Sequence, residues 1–298
     1  MNIFITGWGG FSGSYLAMYL LQRGHSVSAI SRCKTIPALT KELQSSSFEL
    51  LYGDINNLTA LPKNTDVVIH TASTSPTFEK NISHFIENNI LATQKLIDLA
   101  FTSHVKKFIF FSSISIYGSI NDPEVDEETA IVNPNAYGTS KLFGELCLRE
   151  YSDQLPSIAL RLPAIVGLGA HRHWLATTLE KALKSETIEA FNFDSPFNNA
   201  IHIKDLGLFV NQLLSYPIAG FNPITLAADG NITIKSILNK IKVATNSSSK
   251  IISVPKTCTS FTISIKKAKK DFQYIPRSFE DTLDLYLKEQ ICHVRKSK

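Results

Sequence analysis

NIFITGWGGFSG, residues 2–13, decides how the rest of the chain is read. Its first five residues are a short apolar run of strand character, and residues 11–23 carry helical periodicity. Between them stand Gly7, Gly10 and Gly13. Glycines at such a junction allow a tight turn and bring backbone N–H groups close to an anion, which a helix N-terminus favours through its free donors and dipole. Three glycines also occur in turns that bind nothing. The position at the first strand-to-helix junction is what gives this triplet its dinucleotide-pyrophosphate reading.

Downstream, strand-like runs at 26–31, 48–52, 67–71, 107–112 and 157–162 alternate with helical periodicity at 82–103 and 135–152. That alternation implies βαβ units and a parallel sheet. The unbroken run Phe108-Ile109-Phe110-Phe111 suits a strand covered on both faces. After about residue 165 the pattern loosens into a helix at 174–185, a strand at 187–191, a helix after IHIKDL (201–206), a strand at 223–227 and a helix at 233–244. A polar loop at 246–250 and an amphipathic helix at 278–291 follow, with a frayed tail from His293. The expected fold is α/β: a Rossmann-type doubly wound parallel sheet with a smaller C-terminal α/β substrate lobe. Residues 1–164 are expected to form the NAD(P)-binding domain, with 196–228 returning to it, and 165–298 to form mainly the substrate lobe.

The 298 residues are 44% hydrophobic and 19% charged, ordinary values for a globular chain able to bury a large core. A net charge of +4 mildly favours an anionic ligand and gives no sign of a nucleic-acid partner. Cys33, Cys147, Cys258 and Cys292 form no C-x-x-C pair, which points to a reduced, intracellular protein without a zinc site. Asn57, Asn81, Asn231 and Asn246 open N-x-S/T triplets that matter only in a secreted chain, and the glycines at 7–13 interrupt any signal-peptide core. No run approaches the roughly 18 apolar residues of a membrane span. The expectation is a soluble, cytoplasmic protein. Lys266, Lys267, Lys269 and Lys270 are read as a solvated helix face.

Chemistry concentrates at four places. After the second strand, where a carboxylate would accept from ribose hydroxyls, the chain has Ser31-Arg32. A guanidinium there pairs with a 2′-phosphate, so NADP(H) is preferred and NAD(H) possible, unless Arg32 is simply a surface arginine. Tyr137 and Lys141 are four apart on one helix face. An ammonium beside a phenol favours its ionised form, and such a tyrosine moves a proton at a carbonyl while hydride moves at carbon; a helix-surface pair is the plainer alternative. Ser112 and Ser113 end a buried strand, where ligands of open parallel sheets bind, or else merely begin a turn. Finally, Gly169-Ala170-His171-Arg172-His173-Trp174 sets three potential cations beside an aromatic, either to hold a phosphate and stack a base or to lead into a helix. His171 and His173 have no evident third ligand for a metal.

TGWGGFSG, GDI with Asp54, HTAS (70–73), NNILAT around Asn89, SSISIYG, YGTSK, RLPAIVG, IHIKDL and the terminal SIKKAKKDFQYIPRSFEDTLDLYL stand in the order seen in extended short-chain dehydrogenases/reductases. The sequence resembles that family, which includes nucleotide-sugar epimerases, dehydratases and 4-keto reductases, over almost its whole length. The resemblance implies a pyrophosphate turn from Gly7, Gly10, Phe11 and Gly13, with Asp54 and Ile55 near the adenine. It implies that Thr71, Ala72 and Ser73 border the cofactor, that Asn89 braces the framework, and that Pro163 and Ile165 line the nicotinamide pocket. Ser113, Tyr137 and Lys141 match the catalytic triad: orienting hydroxyl, proton donor/acceptor, and the residue that lowers the tyrosine's pKa. Ser73, Ser113, Arg172, His173 and Trp174 fall where the family builds its substrate site. Family members often pair as homodimers through the helices corresponding to 82–103 and 135–152.

Three departures refine the expectation. The second-strand carboxylate is missing. Ile114 and Ser115 stand where a dehydratase carries Asp and Glu, which removes its acid and base. Asn198-Asn199-Ala200 replaces an Arg-Asp pattern whose arginine contacts a substrate phosphate. The resulting expectation is an NADPH-dependent reductase of a nucleotide-linked 4-keto-6-deoxy sugar. A nucleotide-sugar epimerase, a reductase of non-sugar carbonyls and a non-catalytic cofactor-binding protein are the alternatives.

Overall fold

A computed structural model describes residues 1–32, 47–75, 81–171, 173–255 and 259–296. The chain divides into two compact units, the first made of Met1–Ser119, Ala130–Leu162 and Gly207–Ile224. It opens with β1 (Asn2–Thr6), α1 (Phe11–Gln22), β2 (Ser26–Ser31), β3 (Phe48–Tyr52) and β4 (Val67–His70). There follow α2 (Ile82–Phe85), α3 (Ala92–Thr102), β5 (Lys107–Ser113) and α4 (Ala136–Glu150). Strands Ser157–Leu162 and Phe221–Thr225 complete a seven-stranded sheet. Its order from one edge is Phe221–Thr225, Ser157–Leu162, β5, β4, β1, β2, β3. The pairs β1–β2, β2–β3, β1–β4, β4–β5 and β5 with Ser157–Leu162 are parallel.

This is the Rossmann-type α/β arrangement, and the order reverses between β1 and β4, where such sheets bind ligands beyond their strand ends. Every residue of β4, β5 and Ser157–Leu162 is buried, as contiguous apolar runs require. Against one part of the sheet, Leu96, Ile97 and Ala100 of α3 and Leu148 of α4 pack with Phe4, Val68, Phe108, Phe110 and Ala159. The register sets Thr6 beside His70, His70 beside Phe110, and Ser112 beside Arg161, so the polar strand ends share one level.

The periodicity read at 82–103 is interrupted: Ile86–Leu91 forms a π-helical turn between α2 and α3. One extra residue per turn is invisible to a 3.6-residue period, and such turns recur at functional sites. The buried Lys107 departs from the apolar rule for a strand. Its Nζ donates to the carbonyls of Leu213 (2.5 Å), Leu214 (2.9 Å) and Tyr216 (2.7 Å), at the end of helix Ile203–Ser215. A cation there satisfies carbonyls that the helix leaves unpaired. Lys107→Met is expected to lower the unfolding free energy by about 2–4 kcal/mol, read by urea denaturation; a loss near zero would mean that the carbonyls find other partners.

The second unit comprises Ile120–Thr129, Pro163–Leu206 and Thr225–Lys298. Its strands pair in twos: Ala164–Val166 with Ala200–His202, Ile188–Ala190 with Ile251–Ser253, Pro196–Phe197 with Ile232–Thr233, and Thr262–Ile263 with Glu124–Val125. Helices Trp174–Leu183, Ile234–Thr245 and Phe279–Lys296 contribute Leu175, Leu179, Ile237, Leu238, Ile241, Phe279, Leu283 and Leu287 to its core. The terminal helix runs to Lys296 rather than fraying from His293. Its buried Phe279, Leu283 and Tyr286 and the packed Ile291 anchor it as far as the last turn. The lysines at 266–270 do lie on a helix, where Lys266 pairs with Glu124 (2.9 Å) and Lys269 with Asp229 (2.7 Å). No helix of the described residues is long and apolar enough to cross a membrane.

Candidate active site

The glycine turn is built by close approach. Gly7 has φ 82°, a left-handed conformation that disfavours any side chain, and a Cβ there would lie 2.5 Å from Thr71 Oγ1 and 2.8 Å from Ala72 N. A Cβ on Gly13 would overlap the Gly7 carbonyl. The turn closes through Gly10 N–H donating to Gly7 O at 2.9 Å. Gly10 caps α1 without a side-chain hydrogen bond, and no acidic residue stands in the first turn. The first N–H groups of α1, including that of Phe11, are thus left for an anion, with no carboxylate to compete. These residues fit a dinucleotide pyrophosphate.

Beyond β4 the backbone is held by a relay that sequence reasoning passed over. Ala72 N–H donates to Thr6 Oγ1 (3.2 Å), which is also hydrogen-bonded to His70 Nδ1 (2.7 Å). The other ring nitrogen, His70 Nε2, is hydrogen-bonded to Thr93 Oγ1 (2.9 Å). Burial first, and the Lys141 charge second, lower the His70 pKa to about 3, so the ring is neutral. Thr71 Oγ1 donates to Thr6 O at 2.7 Å. Asn89, on the π-turn and buried, clamps the next residue: Oδ1 accepts from Thr74 N (2.7 Å), and Nδ2 donates to Thr74 O (3.1 Å) and Ser140 Oγ (2.9 Å).

Helix α4 brings the expected triad together. Asn135 caps it by accepting from Gly138 N (2.8 Å). The hydroxyls of Ser113 and Ser73 stand beside the Tyr137 phenol, and the Tyr137 ring lies 6.3 Å from that of Phe85. Burial pushes its phenol above the ordinary value, while the two serine hydroxyls act in the opposite direction. The sequence had assigned the lowering to Lys141. Its Nζ instead donates to Phe111 O at 2.8 Å, between the Phe110 ring at 4.9 Å and the Tyr137 ring at 6.0 Å from their centroids. Ser113 Oγ also accepts from Ser115 N (3.1 Å), which starts the turn Ile114–Tyr117.

Burial lowers the Lys141 pKa to about 7 from 10.5. Between those values the unfolded chain binds more protons than the folded one, so stability at this position rises with pH across that window. Allowing for the Phe111 carbonyl and the two rings, which favour the charged form, Lys141→Met is expected to add about 2 kcal/mol at pH 6, a gain that fades by about pH 10. Urea unfolding of both proteins at three pH values checks this, and a pH-independent gain would remove the buried-charge account.

The profile of the NAD dependent epimerase/dehydratase family matches residues 3–223. The chain belongs to this family. It is accordingly an enzyme of an oxidoreductase-type, NAD-dependent family. This epimerase/dehydratase-family chain is 25% identical over 218 residues to the low-salt glycan biosynthesis protein Agl12 of Haloferax volcanii, which covers 69% of the chain and 70% of that protein. It is 30% identical over 186 residues to UDP-glucose 4-epimerase of Yersinia enterocolitica, covering 57% of the chain and 55% of that protein. The fold matches the crystal structure of UDP-glucuronic acid 4-epimerase from Bacillus cereus in complex with NAD, with TM-score 0.83, 25% identity, and coverage of 97% of this chain and 96% of that one.

The remaining candidates of this family member fare differently. Arg32 is 64% exposed; its Nη1 donates to Asn88 Oδ1 (3.0 Å) and lies 3.7 Å from Asp54 Oδ2. Asp54 also caps Ile55–Asn57 by accepting from Asn56 N, and Ile55 is buried. Ser31 ends β2. Pro163 and Ile165 belong to the second unit, Ile165 within strand Ala164–Val166.

The 169–174 cluster is corrected. His173 Nδ1 accepts from Ala176 N (3.2 Å) and caps helix Trp174–Leu183, while its ring meets Tyr286 at 5.8 Å. Burial first and His171 second lower its pKa to about 4, so it is a neutral cap and not a cation. Trp174 packs on Phe197 at 5.3 Å, both partly buried against the second unit's core, rather than standing free to stack. Arg172 lies outside the described residues. Asn198, in place of an arginine, pairs its amide with Ile263 N and O, both at 2.8 Å.

Proposed function

We propose that this chain is a nucleotide-sugar epimerase acting at a secondary alcohol of the sugar, with NAD(H) as cofactor. The observation that carries this reading is the Tyr137 phenol beside the Ser113 and Ser73 hydroxyls, with the buried Lys141 Nζ 6.0 Å from the centroid of its ring. The 4-epimerase names of the relatives support it over the reductase first expected. Gly7, Gly10, Phe11 and Gly13 would hold the pyrophosphate, Asp54 and Ile55 the adenosine end, and Thr71–Ser73, Asn89 and Lys141 the nicotinamide end. Bound there, the nicotinamide supplies a hydride acceptor and donor. In its ionised form, which the two serine hydroxyls favour, Tyr137 would take the proton of the sugar hydroxyl as the carbinol carbon is oxidised, and return it when the ketone is reduced from its other face; no net oxidation results. Ser113 orients the reacting oxygen.

NAD(H) is favoured over NADP(H) by the Arg32–Asp54 pair: a 2′-phosphate would have to meet that carboxylate. The first unit is read as the dinucleotide domain and the second as the substrate lobe. A homodimer through the 82–102 segment and α4 is supported by the exposed Ile82, Ile86, Leu91 and Leu146. One observation keeps an NADPH-dependent 4-keto-sugar reductase as a second reading: no carboxylate ends β2 itself, where Ser31-Arg32 stands.

The test incubates the purified protein with NAD+ and UDP-glucose or UDP-glucuronic acid, then separates C4 epimers by chromatography. Epimer formation without accumulating NADH is expected. Stoichiometric NADPH oxidation by a 4-keto-6-deoxy nucleotide sugar, with no epimer from either UDP-sugar, would install the reductase instead.

A further inference from the structure

Three consecutive residues of β5 meet three residues of α4 spaced one turn apart. Ser113 stands beside the Tyr137 phenol, the Phe111 carbonyl takes the Lys141 ammonium, and Ser112 Oγ donates to Glu145 Oε1 at 2.5 Å. Positions 137, 141 and 145 follow one face of the helix. Glu145 is gripped in turn from strand Ser157–Leu162: Arg161 Nη2 donates to Oε2 at 2.8 Å, and Nε lies 3.2 Å from both carboxylate oxygens. The other end of the guanidinium donates through Nη1 to Tyr117 Oη at 2.9 Å, in the turn that follows Ser113. Both flanks of Ser113, residues 112 and 117, are thus tied to one ion pair.

All four partners are buried: Glu145 is 1% exposed, Arg161 3%, Ser112 3% and Tyr117 0%. None is open to a ligand. Stability alone is a weak reason for such a pair, because desolvating two charges offsets most of their attraction, and apolar replacements often do as well. What a planar carboxylate gripped by a guanidinium fork does provide is a fixed orientation, which an apolar contact lacks. We propose that the Glu145–Arg161 pair is a positioning device that sets the register of α4 on β5, and with it the approach of Ser113 to Tyr137. This rests on the reading of Ser113 and Tyr137 as the proton-transfer pair.

The experiment compares the wild type with Glu145→Met/Arg161→Met, Ser113→Ala and the triple variant. The two charges leave together, so the local net charge is unchanged. The groups facing Tyr137, namely Lys141 from its own helix, Ser73 from beyond β4 and Phe85 from α2, stay in place. Ionisation of Tyr137 is followed by tyrosinate absorbance, with the matching Tyr137→Phe protein subtracted. Taking the Ser113 hydroxyl away from the phenol moves the midpoint up. The double variant and Ser113→Ala are expected to show the same rise, and the triple variant no more than either. NAD+ affinity should stay within about twofold of wild type. An unchanged midpoint in the double variant, or shifts that add in the triple, overturns the proposal. Should the double variant not fold, Ser112→Ala removes one tie without a charge: a smaller rise that vanishes in the Ser113→Ala background is expected, and no rise overturns it. A turnover arm with UDP-glucose and UDP-glucuronic acid should give at least a tenfold lower kcat at unchanged KM. If the wild type itself turns over neither sugar, the proposed function fails while the titration still decides the positioning role.

Discussion

Tyr137→Phe is expected to reduce turnover about a thousandfold while leaving the fold and NAD+ binding unchanged. The substitution removes one oxygen from a ring that keeps its packing against Phe85. Only the phenol's interaction with the Ser113 and Ser73 hydroxyls is lost, and both serines keep their own partners: Ser113 Oγ accepts from Ser115 N, and Ser73 Oγ donates to Thr74 O. The loss should therefore fall on kcat, because the phenol is the proton carrier in the proposed reaction. Ser113→Ala, which removes an orienting hydroxyl but leaves the carrier, should cost less. Steady-state kinetics with the nucleotide sugar that the wild type turns over, alongside NAD+ titration, give the comparison. Turnover by Tyr137→Phe within tenfold of wild type would mean that another group moves the proton.

Gly13→Ala should weaken NAD+ binding by about a hundredfold or more. The new Cβ would overlap the Gly7 carbonyl and lie 2.9 Å from Thr71 Oγ1. Gly7 cannot retreat freely, since its carbonyl accepts the Gly10 N–H that closes the turn and its own Cα is set against Thr71 and Ala72. Relief has to come from opening the turn, which displaces the N–H groups meant for the pyrophosphate; errors of an ångström in such placement cost about two orders of magnitude. Overpacking also lowers stability by about 1–3 kcal/mol. Gly9→Ala is the internal comparison, because its Cβ would meet only Ser31 Oγ at 3.8 Å and should leave the unfolding midpoint alone. Equal NAD+ affinity for Gly13→Ala and wild type would dismiss the cradle.

Much of this arrangement was legible in the sequence because it is local. The apolar runs of β1, β2, β4 and β5 and the glycine spacing each lie within a dozen residues, and Tyr137 and Lys141 share a helix face by spacing alone. What escaped depends on neighbours brought together by folding. Glu145 and Arg161 are ordinary charges until α4 crosses the end of β5 and the next strand sets Arg161 beside Ser112. His173 looked cationic because nothing local announces Tyr286 or its own role as a cap. Arg32 suggested a phosphate site because Asp54, which compensates it, stands 22 residues further on. The π-turn was hidden because its single inserted residue leaves the apolar pattern on either side intact. Lys107 carries no local sign that it caps a helix ending a hundred residues later.

That last contact bears on how the chain is made. The first unit needs Gly207–Ile224, so a nascent chain that has emerged only to residue 164 holds a sheet with an open side. Strand Ser157–Leu162 then lacks its outer neighbour, the Ser157 N–H lacks the Gly220 carbonyl, and the Lys107 ammonium has no carbonyls to meet. At about 5–20 residues per second, some seconds of synthesis separate that stage from closure. An unpaired strand flank is a template for association with other chains. A fragment cut at 164 is therefore a poor candidate for independent expression, and chaperone demand on the ribosome should peak before residue 224 appears.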